Sequence, residues 1–109
     1  MHYKILVMDL NQFDWKKKYL EDNNSIILDV RTNHEVEEGI IPDAINIDIY
    51  ESSIFLEKIK KLDKSKSYFV YCKAGARSAQ ACAIMQQLGF EKTYNLLGGF
   101  SKWNGPIFQ

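Results

Sequence analysis

Short apolar runs alternate with longer amphipathic stretches along this chain of 109 residues. The apolar runs predict strands over residues 3–8, 25–30, 44–48, 67–72 and 93–97. Apolar positions at helical spacing predict helices over residues 11–22, 52–63 and 77–88, and a short helix is predicted in the closing segment "GGFSKWNG". Because strands that alternate with helices build open sheets, this order predicts an α/β domain with a mostly parallel, five-stranded sheet.

A capping signal predicts one more short helix after the second strand. Thr32 is followed three positions later by Glu35, the spacing at which each side chain can cap the backbone N–H of the other residue. Gly39 ends this polar stretch and is a typical C-terminal stop, as Gly89 is for the helix over 77–88.

Composition narrows the classes of protein that fit this pattern. Lys and Arg total 14, Asp and Glu total 14, and the pI is about 6.7, so no net charge would attract nucleic acid or an anionic membrane. The apolar stretch before Asp9 is too short for a signal-peptide core or a membrane span, which predicts a cytoplasmic protein. Since no repeat or flexible linker divides the chain, residues 1–109 are predicted to form a single domain.

The stretch "YFVYCKAGARSAQ" holds the strongest chemical signal, a thiol where the fourth predicted strand ends. Ligands of open α/β sheets collect at the carboxyl ends of the strands, and Cys72 stands at such an end. The next helix begins with backbone N–H groups that lack helical partners, and Gly75 allows the loop to turn those groups inward. Such a loop favours thiolate over thiol, which predicts a nucleophilic Cys72. A buried structural cysteine is the alternative.

Two cations accompany Cys72 in this loop. Lys73 is a candidate for attracting an anionic substrate, and its alternative is an ordinary solvated lysine. Arg77 is predicted to organise the loop first, by bonding the loop carbonyls or an acidic neighbour, and to bind ligand second.

The segment "LDVR" ends the second predicted strand at the same edge of the sheet. Asp29 is an acid in a buried strand and needs a partner, either loop amides or a cation near Cys72. Arg31 and Glu35 stand at i, i+4 spacing, so an ordinary surface ion pair explains them as well as a functional role does.

The remaining chemical groups predict no further site. Cys82 lies inside the helix predicted over 77–88, where packing is the main interpretation and a resolving thiol the alternative. No spacing joins His2 or His34 to the two cysteines, so no metal and no cofactor are expected.

Three segments resemble, in order, the motifs of single-domain rhodanese-like sulfurtransferases. The loop "CKAGARS" resembles the family's Cys-x-x-Gly-x-Arg-Ser loop, "LDVRTNHEVEEGIIPDAINI" resembles its Asp-Val-Arg segment with the Gly-x-Ile-Pro turn, and "NLLGGFSKWNGPI" resembles its Gly-Gly-x-x-x-Trp ending. This chain departs from the family with Ile40 in place of a His and Asp43 in place of a Gly. The resemblance implies a three-layer domain with helices on both faces of the sheet.

The resemblance also implies an activity. Cys72 would take a sulfur atom from thiosulfate or a persulfide and pass it, through a Cys72 persulfide, to a thiol or cyanide. Asp29 and Arg31 would be supporting residues, and a sulfur-relay or redox protein is a possible partner. The residues that would bind the substrate are those of the loop, Lys73, Ala74, Gly75, Ala76, Arg77 and Ser78.

Two functions of other classes stay open. A cysteine phosphatase or arsenate reductase is one, although cysteine phosphatases have five residues between Cys and Arg where this chain has four, from Lys73 to Ala76. A sulfur-carrier or binding module that turns over little substrate is the other. Both it and the enzyme would need an accessible Cys72, so the sequence does not separate them.

Overall fold

Strands and helices alternate along the part of the chain that the structure, a computed structural model, describes, residues 8–109. The strands are β1 (Met8–Leu10), β2 (Ser25–Asp29), β3 (Ile45–Asn46), β4 (Ser67–Tyr71) and β5 (Lys92–Leu96). The helices are α1 (Gln12–Glu21), α2 (Asn33–Val36), α3 (Ser52–Lys60), α4 (Ala76–Gln87) and α5 (Gly99–Lys102). The predicted α/β organisation is confirmed. None of the helices between residues 8 and 109 is both long and apolar enough to cross a membrane.

The five strands form one sheet in the order β1-β5-β4-β2-β3, and every neighbouring pair is parallel. The predicted five-stranded sheet is therefore confirmed, with no antiparallel pair between its named strands. The central strand β4 is buried along its whole length, which explains why its sequence is a continuous apolar run. Its carboxyl end, where Cys72 follows, lies in the middle of the sheet edge.

Element boundaries differ most from the predictions near the ends of the sheet. Residues 3–7 of the first predicted strand lie outside the described residues, and β1 begins at Met8. The strand predicted over 44–48 is only two residues long. Beyond Asn46, Ile47 still donates its N–H to the Asp29 carbonyl at 2.9 Å, and Ile49 donates to the Val30 carbonyl, after the end of β2, at 3.2 Å. The helix predicted over 52–63 ends at Lys60.

Helices pack on both faces of the sheet and create two cores. One core joins α3 and α4 to the sheet through buried residues that include Phe55, Met85 and Cys72. The other core joins α1 and α5 to the opposite face, with Trp15 buried and Phe100 packed against it. The three-layer architecture expected from the family resemblance is confirmed by this arrangement.

The short helix α2 is held by the predicted capping box. The Glu35 N–H donates to Thr32 Oγ1, and the Thr32 N–H donates to Glu35 Oε1, each at 3.2 Å. Because these two bonds satisfy backbone donors at the helix start, they stabilise the first turn of α2.

Candidate active site

The loop between β4 and α4 wraps its backbone around the Cys72 sulfur. Gly75, the N-cap residue of α4, has φ +108°, a conformation that residues with a side chain rarely adopt. This backbone turn points the Gly75 N–H at Cys72 Sγ, 3.1 Å away. The Ser78 hydroxyl lies 3.3 Å from the same sulfur. The loop therefore surrounds the thiol with donors, as predicted from the glycine and the helix start.

These donors decide the acidity of the thiol. Burial raises the pKa of Cys72, but the Ser78 hydroxyl and the N–H groups of Ser78, Gly75 and Ala74 lower it more, so the net pKa is below the usual value. The direction agrees with the predicted thiolate. The favourable causes are all hydrogen bonds from the loop and the start of α4.

Access to Cys72 is narrower than the sequence analysis expected. The residue is only 1% exposed, while Lys73, Ala74 and Ala76 are exposed around it. A reactant therefore has to approach the sulfur past these loop residues.

Arg77 connects the Cys72 loop to α2. Its two terminal nitrogens donate to the two carboxylate oxygens of Glu35 at 2.7 and 2.8 Å, and its guanidinium lies 5.0 Å from the centre of the Tyr50 ring. Hydrogen bonds from Arg77 lower the pKa of Glu35 to about 2 despite partial burial. Arg77 thus has the acidic neighbour that was predicted for a loop organiser.

Glu35 is the residue whose contribution sequence reasoning missed. Its Oε1 atom accepts bonds both from Thr32, within the capping box, and from Arg77. The capping spacing was visible in the sequence, but no local signal joins Glu35 to a residue 42 positions away.

The surface ion pair considered for Arg31 and Glu35 is wrong. Arg31 is buried, with 1% exposure, and its Nη2 atom donates to Asp29 Oδ2 at 2.8 Å. Arg31 precedes the N-cap Thr32, so it does not share a helix with Glu35 and the i, i+4 rule does not apply. It continues the alternation of β2 instead, which places it on the same side as Asp29.

Asp29 and Arg31 lie on the face of the sheet opposite to the Cys72 side chain. The Arg31 guanidinium lies 4.2 Å from the Phe100 ring centre and 5.4 Å from that of Tyr71, both in the core beneath α1 and α5. The Phe100 N–H donates to the Cys72 carbonyl at 2.9 Å. The pair lies behind the loop, where it reaches α5 through Phe100 and α2 through the bond from Arg31 Nη1 to the Glu35 carbonyl at 3.3 Å. Asp29 finds its partner in Arg31 rather than beside the thiol.

The start of α5 packs directly on the backbone of the Cys72 loop. A Cβ atom at Gly99 would lie 2.6 Å from the Cys72 carbonyl oxygen and 2.5 Å from that of Lys73, so only glycine fits. The Ser101 N–H donates to the Lys73 carbonyl at 2.9 Å. The paired glycines in the sequence mark this close approach.

Cys82 has a different environment from Cys72. It is buried within α4 and packs in the core beneath that helix. Burial is the main cause that raises the pKa of Cys82 to about 12, which favours the packing interpretation over a resolving thiol.

Comparison with known proteins shows which proteins this chain resembles. The sequence model of the rhodanese-like domain matches residues 12–106. A protein of Allochromatium vinosum named sulfurtransferase is 30% identical over 90% of this chain and 89% of its own length. The protein YtwF of Bacillus subtilis, provisionally named a sulfurtransferase, is 39% identical over 83% of this chain and 84% of its own length.

Two further matches show the range of the relatives. The rhodanese-like domain protein of Staphylococcus aureus, known as a crystal structure, superposes with a TM-score of 0.80 at 26% identity, covering 94% of this chain and 97% of that one. The protein YrkF of Bacillus subtilis, provisionally named a sulfur carrier, is 31% identical over 84% of this chain but only 48% of its own length.

Proposed function

Because this chain belongs to the rhodanese-like domain family, we propose that it is a sulfurtransferase in which Cys72 carries the sulfur. The donor is thiosulfate or a persulfide, and the acceptor is a thiol or cyanide. The observation that supports this proposal most is the pairing of Cys72 Sγ with the Gly75 N–H at 3.1 Å and the Ser78 hydroxyl at 3.3 Å. These contacts stabilise the negative charge on Sγ in the thiolate. In the persulfide that charge lies on the outer sulfur, where the other backbone amides of the loop would stabilise it.

The reaction has two displacement steps. The Cys72 thiolate attacks the outer sulfur of thiosulfate, a new S–S bond forms, and the old S–S bond breaks with its electron pair leaving on sulfite. An acceptor thiolate then attacks the outer sulfur of the Cys72 persulfide, which returns Cys72 as a thiolate. No base is needed in the first step, because the loop already favours the ionised thiol.

The residues of the Cys72 loop have different roles in this mechanism. The backbone amides from Lys73 to Ser78 hold the anionic end of the donor, and Gly75 gives the loop its turn. Lys73 is exposed and attracts the anionic donor. Arg77 keeps the loop in shape, since its charge is already engaged by Glu35. Asp29 and Arg31 support the loop from the other face of the sheet.

A phosphatase is less compatible with this loop. Four residues separate Cys72 from Arg77, and the thiol already takes up the Gly75 N–H and the Ser78 hydroxyl. A phosphoryl group brings three equatorial oxygens that each need a donor, so it requires a wider ring of amides.

A carrier with little turnover is the second candidate. The 1% exposure of Cys72 and the carrier name of one relative favour it, because a sheltered persulfide would wait for a partner protein whose thiol enters the loop. Such a partner would be a sulfur-relay or redox protein.

Mass spectrometry tests the proposal. After incubation with thiosulfate the protein should be one sulfur atom heavier, and dithiothreitol or cyanide should remove that atom. Cys72→Ser should never acquire it, whereas Cys82→Ser should acquire it as the wild type does. Sulfur on Cys72→Ser, or ready hydrolysis of an aryl phosphate by the wild type, would overturn the proposal. Many turnovers with thiosulfate and cyanide identify the enzyme, and a single stoichiometric transfer identifies the carrier.

A further inference from the structure

A buried amide lies directly behind the Cys72 loop. Asn95, in β5, is 2% exposed. Its Nδ2 atom donates to the Asp9 carboxylate at 2.9 Å and to the Gly75 carbonyl at 3.2 Å. Burying a side-chain amide costs free energy unless its polar atoms are hydrogen-bonded, so a buried asparagine indicates that its hydrogen bonds have a role.

The orientation of this amide is fixed by its neighbours. Exchanging the oxygen and the nitrogen of the Asn95 side chain would set an acceptor against two acceptors, Asp9 and the Gly75 carbonyl. In the observed orientation both N–H groups are used, while Oδ1 is buried without a partner among residues 8–109. The arrangement thus leaves one acceptor unsatisfied in order to aim a donor at Gly75.

The Gly75 carbonyl is the point where several donors meet. The Ala79 N–H, the Ser78 hydroxyl and Asn95 Nδ2 each lie 3.2 Å from its oxygen, which has two lone pairs. The Ser78 hydroxyl has only one proton, and it lies between this carbonyl and Cys72 Sγ at 3.3 Å. The carbonyl and the sulfur therefore compete for the same proton.

We propose that Asn95 is a positioning residue: together with the Ala79 N–H it satisfies the Gly75 carbonyl and so leaves the Ser78 proton to the Cys72 sulfur. Asp9, in the edge strand β1, holds the Asn95 amide in the orientation that this requires. The inference rests on the proposed function in taking Cys72 as the reacting group. Its test measures the thiol itself and does not depend on sulfur transfer.

The other charges around Cys72 do not provide the same effect. Lys73 and Arg77 belong to the loop, and Arg77 is paired with Glu35. Asp9 is the carboxylate behind Asn95, and Cys82 in α4 is held as a neutral thiol. The Ser78 hydroxyl, whose direction Asn95 controls, is the largest of the favourable influences on the acidity of Cys72.

The experiment is the rate of Cys72 alkylation by iodoacetamide against pH in Asn95→Leu. Leucine has nearly the shape of asparagine, adds no charge and removes the unpaired Oδ1, so we expect the variant to fold. The alkylation midpoint should move upward, and the rate at neutral pH should fall by roughly three- to tenfold, the effect of weakening one hydrogen bond to an ionised group. Thr93→Val is the matched control.

Thr93 suits this control because it lies on the same strand and is equally buried. It accepts a hydrogen bond from Gln86 Nε2 at 2.8 Å, so Thr93→Val also removes a buried polar contact from β5. We expect its alkylation midpoint to match that of the wild type. A midpoint shift as large as that of Asn95→Leu would show that Asn95 matters only for the stability of β5 and would overturn the proposal.

A double-variant comparison tests whether Asn95 acts through Ser78. In a Ser78→Ala background no hydroxyl proton remains to be directed, so adding Asn95→Leu should change the alkylation midpoint little. An undiminished shift in that background would contradict the proposal.

Asp9→Ala should raise the midpoint relative to Asp9→Asn, since both remove the charge but only asparagine keeps an acceptor for Asn95. Equal midpoints for these two would count against Asp9 as the holder.

Discussion

Cys72 and Cys82 are both buried, with 1% and 0% exposure, yet their thiols differ in acidity. The pKa of Cys72 is lowered, whereas that of Cys82 is raised to about 12. Burial alone would raise both, because it disfavours the charged form of each thiol. The difference must come from what each sulfur can accept.

The start of α4 supplies that difference. Cys72 precedes the helix, where the first backbone N–H groups have no helical partner and can bond the sulfur. Cys82 lies inside the helix, where the neighbouring N–H groups are used by the helix itself. Position relative to the helix start, more than depth of burial, therefore determines which cysteine can be a nucleophile.

Selective alkylation is the largest effect expected from this comparison. At pH 7 a thiol with a pKa of about 12 is ionised to about one part in 10⁵, so Cys82 should react on the order of a thousandfold more slowly than Cys72, or slower still. The measurement is peptide mapping after timed exposure of the folded protein to iodoacetamide. In denaturant both cysteines should react alike, and comparable rates in the folded protein would remove the contrast.

The position of Cys72 between a buried strand and a helix start could be predicted from sequence because its signals are local. A buried strand, a cysteine, a glycine and a helix start follow one another within a few residues, and the structure has them in that order. The capping box of Thr32 and Glu35 was equally visible, because its two partners are three positions apart.

The residues that hold the loop from a distance could not be predicted in the same way. Glu35 reaches Arg77 across 42 positions and Asn95 reaches Gly75 across 20, and no periodicity reports such contacts. The interpretation of Arg31 failed for a related reason. Helical spacing was applied to a residue that the strand alternation turns into the core.

Two glycines with similar φ angles flank α4, so substituting each of them compares the two ends of this helix. Gly75 before the helix has φ +108° and Gly89 after it has φ +100°. Alanine at either position would cost about 1–3 kcal/mol of unfolding free energy through backbone strain. Added Cβ atoms would meet neighbours at 3.6 and 3.7 Å, ordinary contact distances, so the two substitutions are sterically matched.

Their effects on activity should differ. We expect Gly75→Ala to lose about tenfold or more of the sulfur-transfer rate, because its N–H no longer points at Cys72, while Gly89→Ala retains it. Urea unfolding and thiosulfate turnover measure the two effects separately. Equal losses of activity in both variants would mean that stability of α4 governs the reaction, and the loop geometry would then have no separate effect.

Glu35 allows the anchoring of the loop to be tested through pH. Its pKa in the folded protein is about 2 against an ordinary 4.5, so its stabilising effect is complete above about pH 4.5 and disappears as the pH falls towards 2. Glu35→Gln keeps a capping side chain but loses the charge that Arg77 binds. At pH 7 it should cost about 1–2 kcal/mol of unfolding free energy, since the pair is partly exposed.

The cost of Glu35→Gln should diminish as the solution is acidified, because the wild type then loses the same charge. Urea unfolding of both proteins between pH 7 and 2.5 measures this convergence. Glu57→Gln, on the exposed side of α3, is the control for removing a surface carboxylate. A cost that stays constant down to pH 2.5 would show that the carboxylate charge does not anchor the loop.

Lys73→Ala should give the smallest effect, and it separates attraction of the donor from activation of the thiol. Lys73 is exposed beside Cys72, whereas the charge of Arg77 is held by Glu35. We expect the apparent KM for thiosulfate to rise about two- to fivefold with little change in kcat, because a solvated charge attracts the dianion before it reaches the loop. The difference should vanish near 1 M salt, where charges are screened within about 3 Å.

Lys17→Ala removes the same charge from α1, where Lys17 pairs with Glu21 at 3.9 Å, and should leave KM unchanged. A KM effect that survives high salt would instead assign Lys73 a direct contact with the bound donor, and an unchanged KM at low salt would leave it an ordinary surface lysine.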